Sequence, residues 1–224
     1  MPRIVGEPRA RRIGAVVLAG AFAMLIVSLG VAIPPRPAVI STDRLGPENS
    51  EAIPDYLSRA RDSLQGADAD QHWALVSFTD GISADRIPEY SAGLRISQAI
   101  YHVAVPGVAM PIIAVTLPAG AEVAVASVKS AAAQAGAMRA YDDRTVRANR
   151  LTATRLSANC ACLVGLVLHG TLDQLRNLAA LPGVRAVEAL PADAPAGVFA
   201  VSPLLPEYQD FAKPGSDDAP VPEN

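Results

Sequence analysis

Aromatic side chains are scarce in this chain, at 4% of 224 residues, and charged ones make up only 18%. A core must therefore be built from Ala, Val, Leu and Ile rather than from large rings. Lysine is nearly missing, with Lys129 and Lys213 standing against a large excess of arginine. Three histidines, His72, His102 and His169, and two cysteines make a short inventory of reactive groups. No histidine has a metal-ligand spacing to another or to a cysteine. His169 follows Cys162 by seven residues, roughly 23 Å along a strand. The histidines read as ordinary surface or edge residues near strand ends. No Gly-x-Ser-x-Gly elbow, Walker loop, dinucleotide fingerprint or His-Glu-x-x-His occurs. These absences argue against most enzyme classes, and no catalytic residue, metal or cofactor is expected. Net charge is −3; residues 1–12 carry +3, which leaves −6 on the remainder. An acidic remainder argues against nucleic acid as a partner.

The most informative feature present is an uncharged apolar run from Ile13 to Ile33, ending at Pro34-Pro35. As a helix its 21 residues would be about 31 Å long, close to the thickness of a bilayer's hydrocarbon. Arg3, Arg9, Arg11 and Arg12 precede it against the single acid Glu7, and only Arg36 follows closely. That bias places the N-terminus in the cytoplasm and the rest outside. A cleaved signal peptide is the rival reading, but its apolar region is usually about 7–15 residues. The expectation is an uncleaved single-pass anchor in the cell membrane.

The domain order expected is a basic cytoplasmic stretch over 1–12, a transmembrane helix over 13–33 and a linker over 34–50. An extracytoplasmic α+β domain over 51–190 and a Pro-, Ala- and Asp-rich tail over 191–224 complete it. The last dozen residues read as disordered. Within the domain, Ile53 opens a helix capped by Ser50 and ended by Gly66. His72–Thr79 reads as a strand. Ser83 caps a helix over Ala84–Ala92, within which Pro88 sits too deep to be ideal. Leu94–Val105 and Pro111–Leu117 read as further strands around a Pro106-Gly107 turn. Residues 120–158 are helical in propensity, divided near Gly136 and Asp142-Asp143. Leu163–Leu168 reads as a strand, Thr171–Leu181 as a helix and Val184–Leu190 as a strand.

An approximate repeat emerges. Ala74–Ile100 and Leu163–Leu190 each run strand, Gly, helix, Gly, strand, with Gly81 matching Gly170 and Gly93 matching Gly183. The expected fold is α+β and ferredoxin-like: two such units, helices on one face of a mostly antiparallel sheet, and an inserted long helical segment. The stretch from Leu178 to Glu188 is similar to the second half of ferredoxin-like families, including protease propeptides and small metal-carrying domains. The metal carriers place Cys-x-x-Cys where this chain has Asp80-Gly81 or His169-Gly170, so that likeness implies no metal carriage. The chain as a whole resembles uncharacterised single-pass membrane proteins of actinobacterial type, which implies no activity.

Cys160-Ala161-Cys162 is the conspicuous pair. Outside the cytoplasm disulfides persist. Residues two apart in an extended chain have Cα atoms about 6.5–7 Å apart, at the limit of a disulfide. A local disulfide, buried structural thiols, an intermolecular bridge and a redox site all remain open. The pair follows a long helix, whose negative end disfavours a thiolate. Parity puts Cys160, Cys162, Val164, Leu166 and Leu168 on one face. Arg144, Arg147 and Arg155 fall near one helical stripe that could hold an anionic envelope polymer or lipid headgroup. The commoner meaning is a solvated face with an Asp143–Arg147 pair. Asp142-Asp143 are expected to begin a helix. The function expected is a non-catalytic, membrane-anchored accessory or interaction module of the cell envelope with a protein partner. The alternatives are a thiol-disulfide protein using Cys160 and Cys162, or a propeptide-like protease binder.

Overall fold

The computed structural model describes residues 42–118 and 121–223, together with the isolated positions Phe22 and Met24. Apart from those two positions, the apolar run expected to cross the membrane lies outside the described residues, as do residues 34–41 of the expected linker. Among the described residues no helix is long and apolar enough to cross a membrane.

The domain is a mixed α+β structure with two sheets. In chain order it contains β1 (Arg44–Leu45), α1 (Ile53–Ser63) and β2 (Gln71–Ile82). A 3-10 turn at Ala84–Arg86 leads into α2 (Ile87–Ser91) and β3 (Arg95–His102). There follow β4 (Ile112–Thr116), α3 (Ala121–Ala137) and α4 (Asp143–Ser157). The chain returns through β5 (Leu163–Thr171), α5 (Leu172–Ala179) and β6 (Val184–Ala189), and closes with β7 (Ala200–Val201). The larger sheet has the order β4-β3-β5-β2-β6, with every neighbouring pair antiparallel. Both strand–helix–strand stretches therefore share one sheet, with β4, α3 and α4 inserted between them.

Local chemistry sets these elements. Pro88 cannot donate a backbone hydrogen bond, so the helix expected over 84–92 is broken into a 3-10 turn and a fresh α-helix with Pro88 in its first turn. Asp142 caps α4, its carboxylate accepting from the Thr145 N–H at 2.8 Å. Thr171 and Gln174 cap α5 reciprocally. Ser50 is not the cap of α1; Ala52 holds that position, and the Ser50 N–H donates to the Ala212 carbonyl instead.

One face of the sheet, bearing Ala74, Val76, Phe78, Leu166 and Leu168, packs on the helices. The helices answer with small residues, Ala124, Ala131 and Ala135 of α3 and Ala148 of α4, together with Leu172, Leu175 and Leu178 of α5. Val164 departs from its expected parity. Ile100 pairs with Gly165 but Tyr101 pairs with Leu163, so Val164 is a bulge residue. The extra residue breaks the alternation locally. Leu163 joins the helix side, where Cys162 stands as expected, and Val164 turns to the opposite face with Leu75, Ile100 and Val167.

That opposite face is covered as well, and the cover comes from segments read as linker and tail. Leu45 is fully buried on it, and β1 pairs in parallel with β7. Leu190, Ala194 and Leu205 pack beside Trp73 and Leu75. Gly46 has φ +98°, and a Cβ there would meet the Ser202 carbonyl oxygen at 1.6 Å, so only glycine lets β1 close on β7. Farther on, the tail backbone bonds the start of α1, with Ile53 N–H on Asp210 O at 2.9 Å and Ala212 N–H on Glu51 O at 2.8 Å. Residues 213–223, expected to be disordered, lie against the 107–109 loop: Ala219 N–H donates to Gly107 O at 2.9 Å, and Val221 is buried. Two-residue strands and a strap of scattered apolar residues carry no periodicity, and so give a sequence reader no signal.

Candidate functional site

The cysteines lie where α4 hands the chain to β5. Asn159 ends the helix with φ +55°, and its side-chain amide donates to Asp85 at 3.0 Å. The chain then folds tightly at Ala161, with Cys162 N–H on Cys160 O at 2.8 Å. This fold draws the two Cα atoms to 5.2 Å, shorter than an extended chain allows, and the sulfurs are bonded. The loop rests on β2 at Gly81, where a Cβ would meet Ala161 O at 2.2 Å. Cys162 is buried and Cys160 half-buried. A cavity of about 360 Å³ opens beside them, lined by Asp80, His102, Arg155 and Pro206 among others.

The three arginines of the α4 stripe occupy three different environments. Arg144 pairs with Asp217 of the tail, which also accepts from the Ala109 N–H at 2.9 Å. Arg147 is exposed. Arg155 faces the disulfide cavity. Among the described residues Asp143 and Arg147 form no ion pair; the partner the stripe finds is Asp217, far away in sequence.

Two of the histidines are buried rather than on the surface. His72 lies between the Leu190 carbonyl, 2.7 Å from Nδ1, and the Asp68 carboxylate, 2.9 Å from Nε2. Both neighbours are acceptors, so the doubly protonated ring suits the place. Burial opposes the charge, but Asp68 and the Leu190 carbonyl outweigh it and raise the pKa above the ordinary imidazole value. His102 Nε2 meets Glu207 at 2.7 Å, and its Nδ1 faces the Pro111 carbonyl at 3.4 Å. Burial works against the Glu207 charge, yet His102 holds that carboxyl below its usual range. His169 stacks on Trp73 at 4.3 Å, and its pKa is lowered by burial first and by Arg95 next. Among the described residues no group of three or more His, Cys, Asp or Glu could hold a metal ion.

His102 and Glu207 also border a second, mostly apolar cavity of about 440 Å³, between the 104–110 loop and tail residues 205–216. Val105, Val108, Met110 and Tyr208 contribute its apolar wall. The tail is thus one side of both cavities, with His102 between them. The sulfurs are joined to each other, and both His102 nitrogens face acceptors, the Glu207 carboxylate and the Pro111 carbonyl.

Sequence reasoning overlooked Glu188. It is 3% exposed in β6, accepts from the Gly46 N–H at 2.5 Å and pairs with Arg59 of α1. Arg59 also reaches Glu51 at 2.9 Å. The Tyr56 hydroxyl lies buried beside Glu188; burial, then the Glu188 charge, pushes its pKa far above the ordinary phenol value. The only signal was a single carboxylate within the apolar stretch Val184–Leu190. The cluster ties β1, α1 and β6 together.

No protein-family model matches the chain, and no curated protein or solved structure matches it significantly.

Proposed function

We propose that the chain is a single-pass membrane protein, N-terminus in the cytoplasm, whose exterior domain is a non-catalytic interaction or accessory module of the cell envelope. One observation carries the reading: the uncharged run Ile13–Ile33 behind Arg3, Arg9, Arg11 and Arg12. The bonded Cys160–Cys162 pair supports it, because such bonds persist outside the cytoplasm. A ferredoxin-like architecture belongs to the same reading. Its support is the strand order β6-β2-β5-β3, with α2 following β2 and α5 following β5, which leaves β4, α3 and α4 as an insertion.

The test is topological. Protease added to cells with permeable walls and intact membranes should remove an epitope at the C-terminus and spare one at the N-terminus. A protected C-terminal epitope would refute the reading. Crosslinking in the native envelope then identifies the partner protein.

A thiol-disulfide role is the second reading, favoured by the position of the Cys160–Cys162 bond beside a cavity that Arg155 and His102 also line. Its test is the rate at which the reduced protein reacts with a thiol reagent across pH. A thiolate titrating below about pH 7 would favour it, since an unperturbed cysteine titrates near 8.5.

A further inference from the structure

The two edges of the large sheet are treated differently. At β6, α1 lies along the edge, and the outward Ala189 N–H is satisfied by the Ser63 hydroxyl at 2.9 Å. At β4 no described element continues the sheet. The direction of its backbone groups follows from the ladder. Leu117 N–H donates to Ser97 O at 2.8 Å, and Gln98 pairs with Thr116 in register. Alternation along an antiparallel pair then turns Val115 and Ile113 toward β3. The N–H and C=O groups of Ile112, Ala114 and Thr116 point away from the sheet. None of them has a partner among the described residues.

Natural edges are usually blunted by charge, by an interior proline or by a covering segment. The stretch Pro111-Ile112-Ile113-Ala114-Val115-Thr116-Leu117-Pro118 carries no charge, and its prolines stand outside the strand. Ile112, Ala114 and Thr116 are all exposed, Ile112 at 43%.

We propose that this edge pairs with the same edge of a second copy of the chain, antiparallel about a two-fold axis at Ala114. The register is self-complementary. Ala114 meets Ala114 of the second copy, and Ile112 meets Thr116 in both directions. Every outward N–H and C=O of the three residues then gains a partner, in hydrogen-bonded pairs with Cα atoms about 5.5 Å apart. A small side chain stands on the axis, and no like charges oppose each other across it. Two-fold pairing is the commonest closed assembly, and a strand pair this short is a small interface of the weaker class. The proposal does not depend on the membrane anchor.

The test uses the full-length chain in detergent and a short bifunctional thiol reagent, with the native cysteines bonded to each other. Ala114→Cys should be captured at twice the chain mass, while Tyr141→Cys, 99% exposed on another part of the surface, should not. A mixture of Ile112→Cys and Thr116→Cys chains should crosslink at least several-fold better than either alone, because these positions oppose each other only across the axis. Ala114→Lys, added to the Ile112→Cys and Thr116→Cys chains, should abolish that capture while leaving the circular dichroism spectrum unchanged. The proposal is overturned if Ala114→Cys stays monomeric, if Tyr141→Cys is captured equally well, or if the mixture gains nothing. A monomer that instead binds an extended segment of a different protein at β4 would also overturn it.

Discussion

Replacing Glu188 tests whether a buried charge joins the first strand, the first helix and the last core strand. Removing one partner of a buried ion pair costs about 3–5 kcal/mol when the other is left stranded. Here Arg59 is not stranded. Its side chain is 43% exposed and keeps Glu51 at 2.9 Å. The uncompensated losses are the acceptor of the Gly46 N–H and the packing around Tyr56, so Glu188→Ala should lose about 2–3 kcal/mol. In a domain of this size that lowers the melting temperature by about 4–12 °C. Glu188→Gln separates two contributions. Burial raises the Glu188 pKa even though Gly46 and Arg59 pull it down, so the ionised form is held at a cost. A raised carboxyl pKa gives stability that is fully present below the unfolded pKa and is lost as pH rises through the folded one. Glutamine keeps an acceptor for Gly46 and never ionises. At pH 7 it should lose less than half of what alanine loses, and its melting temperature should depend less on pH between 4 and 7. The assay is thermal unfolding followed by circular dichroism. An alanine variant within about 1 °C of wild type, or a glutamine variant worse than alanine, would refute the reasoning.

His72→Gln should narrow the pH dependence of stability. The His72 pKa is raised, so its contribution is fully present below about 6.5 and fades as pH climbs through the folded value; melting temperatures of wild type and variant should differ more at pH 6 than at pH 9. Replacing Cys160 and Cys162 together by Ser opens a loop of sequence separation 2, and chain-entropy arithmetic for so short a loop gives about 1.6 kcal/mol. Denaturant unfolding should show that modest loss, and a loss several times larger would mean that the bond holds more than its own loop. Leu166→Ala, at a fully buried position on the helix face, should cost about 2–5 kcal/mol; a midpoint unchanged in the same titration would contradict the packing described.

The elements of the core sheet were legible because Gly and Pro punctuate runs of β-branched and apolar residues. Strand β2 extends three residues beyond the expected Thr79, and α5 stops two short of Leu181. The cap at Asp142 was legible because it is a local, carboxylate-to-amide event. Val164 was misplaced because a bulge shifts parity without changing composition. The cover of the second face was missed because Leu45, Leu190 and Leu205 meet only in three dimensions. Of the site, the cysteines could be named from their spacing, but not the cavity beside them, since Asp80, His102 and Pro206 come from distant stretches. Buried His72 and His102 looked like edge residues for the same reason. Their carboxylate partners are Asp68, in the unassigned stretch between Gly66 and His72, and Glu207, in the segment read as tail.

The parallel pairing of β1 with β7 joins one of the first stretches of the domain to be synthesised to one of the last. Covering the second face of the sheet therefore waits on the synthesis of residues 190–208. A chain halted near residue 190 can still pair its five core strands, yet Trp73, Leu75 and Val167 would stand bare to water. Such a nascent chain offers a sticky sheet face for as long as residues 190–208 are delayed. A premature stop codon there should yield a product that assembles its sheet and is then retained by chaperones or destroyed, although α1 to α5 are already in place.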